Sequence, residues 1–224
     1  MEKIVNKICE ETKESENSEW YQCLRDALLI ATKESNFEEI FKTHAEELMS
    51  QYALTNGNET FLFKEIEYYF YDEIRHPDPY VHGSCKQEEA GKYYYHYSGL
   101  DITFGDKDYS YSGGILISGI CEMTASQEEA CISGSRKSIY KMLKCDKSSY
   151  KWSQIDMDAD KKPAITVCKL KSKRDIELVA SFRVGLKAKS SDYDYFTKQT
   201  TKTIPFIFRK YKFCAKLDVS RKFT

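Results

Sequence analysis

Glycine and proline are scarce in this chain, at ten and four of 224 residues. That excludes a collagen-like chain and a low-complexity linker. The eight cysteines, at 9, 23, 85, 121, 131, 145, 168 and 214, contain no C-x-x-C pair, which argues against a zinc ribbon. No apolar run approaches the roughly 18 residues of a membrane span. The opening segment, MEKIVNKICEETKESE, has no apolar stretch of the secretory kind. The expectation is a chain that works inside the cell, in cytoplasm, nucleoid or nucleus, without membrane contact and with reduced, incidental cysteines. Net charge is lacking as well: 34 Lys and Arg stand against 35 Asp and Glu, leaving −1.

Against these absences stand 41% hydrophobic and 31% charged residues, the balance of a soluble globular protein, and 17 tyrosines. The length suits one domain, with or without an extension. The neutral total hides an asymmetry. Residues 1–60 carry −7, residues 61–135 carry −8 and residues 136–224 carry +14. A basic half with interleaved aromatics, as in Phe208-Arg209-Lys210-Tyr211-Lys212-Phe213, fits a polyanionic partner. It fits equally a solvated surface that pairs with the acidic half.

Residues 1–55 read as helices. Leu28, Leu29, Ile30 and Ala31 sit in a charged background free of glycine and proline. Asn36 with Glu39 forms an N-cap signal for a helix carrying Phe37, Ile40, Phe41, His44 and Leu48 at helical spacing. After the Asn56-Gly57 turn the pattern becomes β. FLFKEIEYYFYDEI, KYYYHYSGLDITFG, GGILISGICEM, ITVCKLKS, IELVASFRVGL and IPFIFRKYKF read as strands, with a helix expected within residues 126–145. The fold expected is α+β: residues 56–224 as one domain with a curved, mostly antiparallel sheet, flanking helices and a hairpin, and residues 1–55 as a helical extension packed on it.

Reactive side chains concentrate in residues 65–99, where His76, His82 and His96 accompany Glu65, Glu67, Tyr69, Asp78 and Tyr95. On a strand, Glu65, Glu67 and Tyr69 share one face, while Ile66, Tyr68 and Phe70 share the core face. His76-Pro77-Asp78-Pro79 cannot be regular helix, and such a loop can return His82 toward Glu67. Three readings stand side by side. One is a metal site of His76, Asp78 and His82, whose spacing matches no strong motif. Another is a purely structural Tyr-rich sheet. The last is a pocket in which aromatics stack a flipped base and a carboxylate activates water.

Several stretches, in order along residues 60–213, resemble the alkyladenine (3-methyladenine) DNA glycosylase family. Glu65-Ile66-Glu67-Tyr68-Tyr69 is similar to its Glu-Thr-Glu-Ala-Tyr, and Asp78-x3-His82 to its Asp-x3-His. Residues Tyr93 to Gly99 resemble its Tyr-Val-Tyr-x-x-Tyr-Gly hairpin. Gly114 to Glu122 resembles its Ala-Val-Leu-Leu-Arg-Ala-Leu-Glu strand, and Cys131 to Lys137 its Cys-Ser-Gly-Pro-x-Lys turn. Arg183-Val184-Gly185-Leu186 is similar to its Arg-Val-Gly-Val, and Pro205 to Arg209 to its Pro-Leu-Arg-Phe.

The resemblance implies a monofunctional DNA glycosylase that excises a damaged or modified base, an alkylated purine above all, in base excision repair. Glu67 would activate water, and Tyr69, His82 and Tyr95 would hold the base. Tyr97, His96, Arg183, Arg136 and Lys137 would contact or wedge the DNA. It implies no metal and no cofactor, with DNA as the partner of a monomer. Ser98 stands at the family's wedge tyrosine, Ser118 at an arginine and Ser135 at the turn proline. Ser98 and Ser118 motivate the alternative, a non-catalytic nucleic-acid-binding or interaction module on the same fold. Tyr97 or His96 could replace the wedge, but a shift of one residue reverses the face of the hairpin a side chain occupies.

Overall fold

The computed structural model describes residues 19–123, 129–144, 165–186 and 206–216. Residues 1–18 and ten of the 23 basic residues of the +14 segment lie outside them. Among the described residues two helices come first, α1 (Glu19–Ile30) and α2 (Phe37–Gln51). In α1, Trp20, Leu24 and Leu28 recur every fourth residue and are all buried, the period of a helix that buries one stripe. Asn36 caps α2, its side chain accepting from the Glu39 N–H at 3.3 Å, a bond worth about 1 kcal/mol.

Ten strands follow: β1 (Tyr52–Thr55), β2 (Thr60–Asp72), β3 (His76–Pro77), β4 (Tyr93–His96), β5 (Gly99–Thr103), β6 (Tyr111–Met123), β7 (Glu129–Ser133), β8 (Thr166–Lys169), β9 (Glu177–Ser181) and β10 (Lys212–Lys216). A third helix, α3 (Ser135–Met142), lies between β7 and β8. The strands form one curled antiparallel sheet ordered β4-β5-β6-β2-β1-β8, and the whole is a single α+β domain. The long strand β2 organises it. Along one edge β2 pairs with β6; along the other it pairs in turn with β1, β10 and β3.

The two faces of β2 obey the period of two. Ile66, Tyr68 and Phe70 are fully buried against the helices. Phe41 of α2 stacks on Tyr68 at 4.8 Å and meets Tyr211 edge-on at 5.0 Å. Glu67 and Tyr69 occupy the opposite face.

Several boundaries differ from the sequence reading. Residues 52–55 are a strand within the sheet, pairing with both β2 and β8, and α1 and α2 share one core cluster with the sheet. A cut at residue 55 therefore divides a hairpin, and the two helices are part of the core they share with the sheet. The helix expected within residues 126–145 is Ser135–Met142, and the described residues before it form β7, which pairs with β6. Within IPFIFRKYKF, Phe206–Phe208 form a 3₁₀ turn before β10. The cysteines correct another expectation. Cys121 and Cys131 face each other across β6 and β7 and form a disulfide; a cross-strand register of this kind leaves no mark in sequence spacing.

Candidate functional site

The sheet face turned away from α1 and α2 forms a cleft of about 480 Å³. Glu67 and Tyr69 come to it from β2, Leu116 and Ser118 from β6, Asp101 from β5 and Lys212 from β10. Its mouth is formed by His82 and Tyr80 from the loop after β3, by His96 and Tyr97 from the β4–β5 hairpin, and by Arg136 at the start of α3. Gly99 lets the hairpin pass beneath α3. Its φ of +151° suits glycine, and a Cβ there would stand 2.9 Å from that of Ser135.

Glu67 is 3% exposed. The Tyr69 hydroxyl donates to its Oε2 at 3.2 Å, and Lys212 Nζ donates to its Oε1 at 3.4 Å. The Val184 N–H is a further donor. Burial nevertheless dominates and pushes the Glu67 carboxyl above the ordinary carboxylate range, with Lys212, Tyr69 and Val184 pulling the other way. Lys212 lies directly across from Glu67 in the β2–β10 register and also pairs with Glu65 at 2.8 Å. Held between two carboxylates, its ammonium is stabilised despite partial burial, and its pKa is raised.

Arg183 lies beneath the site. Its guanidinium makes an ion pair with Asp78 and sits 4.7 Å from the centre of the Tyr69 ring. Tyr69 thus packs on a fixed cation, and burial with the adjacent Glu67 pushes its phenol far above the usual range. At the mouth, Tyr97 is 70% exposed. Arg136 holds it from α3, donating to its hydroxyl at 3.0 Å with the guanidinium 4.9 Å from the ring centre.

Six of the nine residues expected at the site line this cleft: Glu67, Tyr69, His82, His96, Tyr97 and Arg136. Three do not. Tyr95 is in the core, 5% exposed, because it shares a face of β4 with Tyr93, while His96 shares the other with Tyr94. Stacking of a base by Tyr95 is therefore corrected. Arg183 is a support under the cleft, with a side chain that reaches no solvent and so no phosphate. Lys137 is exposed on the first turn of α3, outside the cleft lining.

The metal-ligand reading of His76, Asp78 and His82 also meets a different arrangement. His76 is 3% exposed, with one ring nitrogen 2.8 Å from the Phe70 carbonyl and the other 2.6 Å from the Tyr211 hydroxyl. Asp78 is committed to Arg183. Among the described residues, no group of three or more His, Cys, Asp or Glu is placed to hold a metal ion.

The sequence reading assigned no role in the cleft to Lys212, Asp101 or Ser118. The stretch Phe208 to Phe213 fits a polyanionic partner or a solvated surface by charge, but the alternation Tyr211, Lys212, Phe213 sets Lys212 opposite two core aromatics. Asp101 is 2% exposed and accepts from His96 Nε2 at 2.9 Å and from Gln87 Nε2 at 3.0 Å. Ser118 Oγ is buried in the cleft wall without a hydrogen-bond partner among the described residues. Comparison of the chain with protein-family models and with curated proteins gave no match.

Proposed function

We propose that this chain is a DNA glycosylase of the alkyladenine type, which hydrolyses the N-glycosidic bond of a flipped, damaged or modified base and leaves an abasic site. The observation that carries this reading is Glu67: a buried carboxylate at the floor of a cleft with aromatic and imidazole side chains at its mouth, oriented by Tyr69, Lys212 and Val184. A carboxyl whose pKa is raised by burial is a better match for a general base near neutral pH than an exposed one. It would take a proton from water as that water attacks the anomeric carbon, while the sugar passes through an oxocarbenium-like state, as in carboxylate-driven glycoside hydrolysis. An alkylated purine, with positive charge on the base, is the leading substrate because it leaves most readily.

Lys212 bears on the type of glycosylase. An ammonium clamped by Glu65 and Glu67 is a poor nucleophile, which favours water and a monofunctional reaction without a lyase step. At the mouth, Tyr97 and Arg136 offer a ring to fill the gap left by a flipped base and a cation for the backbone. The non-catalytic alternative drew on Ser98 at the wedge position; the exposed Tyr97 beside it offers the missing aromatic.

The test is incubation with a panel of duplex and single-stranded oligonucleotides carrying alkylated and deaminated bases, followed by alkaline cleavage at abasic sites. Strand cleavage dependent on the protein, and on the alkaline step, is expected for at least one lesion. No cleavage with any of them overturns the proposal.

A further inference from the structure

Leu116 of β6 is the register partner of two carboxylate-bearing residues, Glu67 of β2 on one side and Asp101 of β5 on the other. Directly paired residues of an antiparallel sheet project from the same face. Glu67 and Asp101 therefore enter the cleft together, two strand spacings or about 9–10 Å apart along the sheet, with Leu116 as the floor between them.

The two carboxylates differ in their surroundings. Glu67 has the Lys212 ammonium beside it. Among the described residues, Asp101 has no lysine or arginine partner. Its Oδ1 accepts from His96 and its Oδ2 from Gln87. The Ser98 N–H donates to His96 Nδ1 at 3.3 Å, so the ring hydrogen is on Nε2, directed at Asp101. Neither donor to Asp101 is a lysine or an arginine. Each carboxylate oxygen accepts two hydrogen bonds, so Asp101 is fixed in place with acceptor capacity left over.

The fold makes room for this arrangement. Gly114 lies beneath the carboxylate, and a Cβ there would stand 2.8 Å from Asp101 Oδ2 and 3.0 Å from Gln87 Nε2. Desolvating a buried carboxylate that has no lysine or arginine beside it is costly, and a ligand that supplies N–H donors to its remaining lone pairs offsets that cost. A carbonyl or a bare ring nitrogen at the same point meets only repulsion.

We propose that Asp101 reads the base, and that the cleft selects nucleobases presenting hydrogen-bond donors, an exocyclic amino group or a ring N–H, at the edge remote from the sugar. This rests on the glycosylase reading, which sets the sugar at Glu67 and so the far edge of the base over Leu116 toward Asp101. A carboxylate accepting from a base amino group is an established mode of base readout.

The experiment separates recognition from catalysis. Duplexes carry an uncleavable sugar, fluorinated next to the anomeric carbon, bearing either an N-alkylated guanine with its amino edge intact or an adenine whose amino edge is closed into an etheno ring. Equilibrium binding of the wild type is expected to favour the guanine lesion by about tenfold or more. Asp101→Asn, checked for an unchanged melting temperature, is expected to reduce that preference to within about threefold. Because the wild-type comparison needs no variant, a misfolded Asp101→Asn protein leaves the first result decisive. Equal wild-type affinity for the two lesions, binding to neither, or an unchanged preference in a folded variant overturns the role of Asp101. Cleavable versions of the same duplexes report on the other reading. Discrimination in binding without base release contradicts the glycosylase and leaves Asp101 as the reader, whereas release without discrimination does the reverse.

Discussion

Asp78 and Arg183 form an ion pair sealed from solvent, with Nη1 2.7 Å from Oδ2 and both side chains 0% exposed. The same guanidinium donates to the carbonyls of Tyr68 at 3.3 Å and Phe206 at 3.2 Å and lies beside the rings of Tyr69 and Tyr211. One cation thus ties together the loop after β3, the central strand, the segment after β9 and the turn before β10. The wall of the cleft depends on it. Arg183→Met leaves a buried carboxylate alone and is expected to destabilise the fold by about 3–5 kcal/mol. The double variant Asp78→Asn with Arg183→Met is expected to lose less, since no lone charge remains. Denaturant unfolding of the variants measures both, and equal losses contradict this account of the pair.

The cleft carboxylate carries a pH signature. Burial raises the Glu67 pKa, so the group stays protonated to a higher pH than an exposed glutamate. Because the base must be ionised to accept a proton, base release is expected to rise with pH through that raised value. Lys212 opposes the effect of burial. Lys212→Met removes this pull, so the acid limb of the pH–rate profile is expected to move to higher pH. A limb that stays in place or moves down assigns the ionisation to another group.

Tyr97 is exposed and carries no core load. Tyr97→Ala is expected to change stability by no more than about 0.5 kcal/mol. If the ring contacts DNA, the same variant loses the stacking of an aromatic on a base, ~1–3 kcal/mol, and lesion binding weakens about fivefold to a hundredfold. Fluorescence anisotropy with lesion duplex and a thermal melt separate the two effects; unaltered binding removes Tyr97 from the interface.

Two buried histidines predict acid lability. His44 and His76 each lie between a tyrosine hydroxyl and a backbone carbonyl, and burial pushes both down to about 4 from an ordinary 6.5. The carbonyl accepts from one ring nitrogen and the hydroxyl donates to the other, so protonation breaks a bond. Between pH 6.5 and about 4 the unfolded chain binds more protons than the folded one. Stability is therefore full above 6.5 and lost as the pH falls toward 4, by up to about 3 kcal/mol for each histidine. Urea midpoints across this range give the loss, and flat midpoints contradict it.

What could be read in the sequence follows from range. Local alternation placed Ile66, Tyr68 and Phe70 on the core face and Glu67 and Tyr69 on the other, because a strand's period is two wherever one face is buried. The Asn36 cap was legible because its bond spans three residues. Tyr95 was misplaced because the resemblance assigned it a role, while the parity of β4 sets it with Tyr93 and leaves His96 for the cleft. Lys212 reaches Glu67, and Asp101 the same cleft, only through pairings between strands distant in sequence, which no local pattern specifies. The same is true of the Cys121–Cys131 bond across β6 and β7.

The central claim is that Glu67 activates water for base release. Its most direct test is the single-turnover rate of release from the best lesion substrate, at saturating protein, for the wild type and Glu67→Gln. The glutamine keeps the size of the side chain and an oxygen for the Tyr69 hydroxyl, so fold and DNA affinity should be retained. The account predicts a rate lower by about 10²–10⁴-fold, the range of general base catalysis. A Glu67→Gln protein that releases the base at the wild-type rate would contradict it.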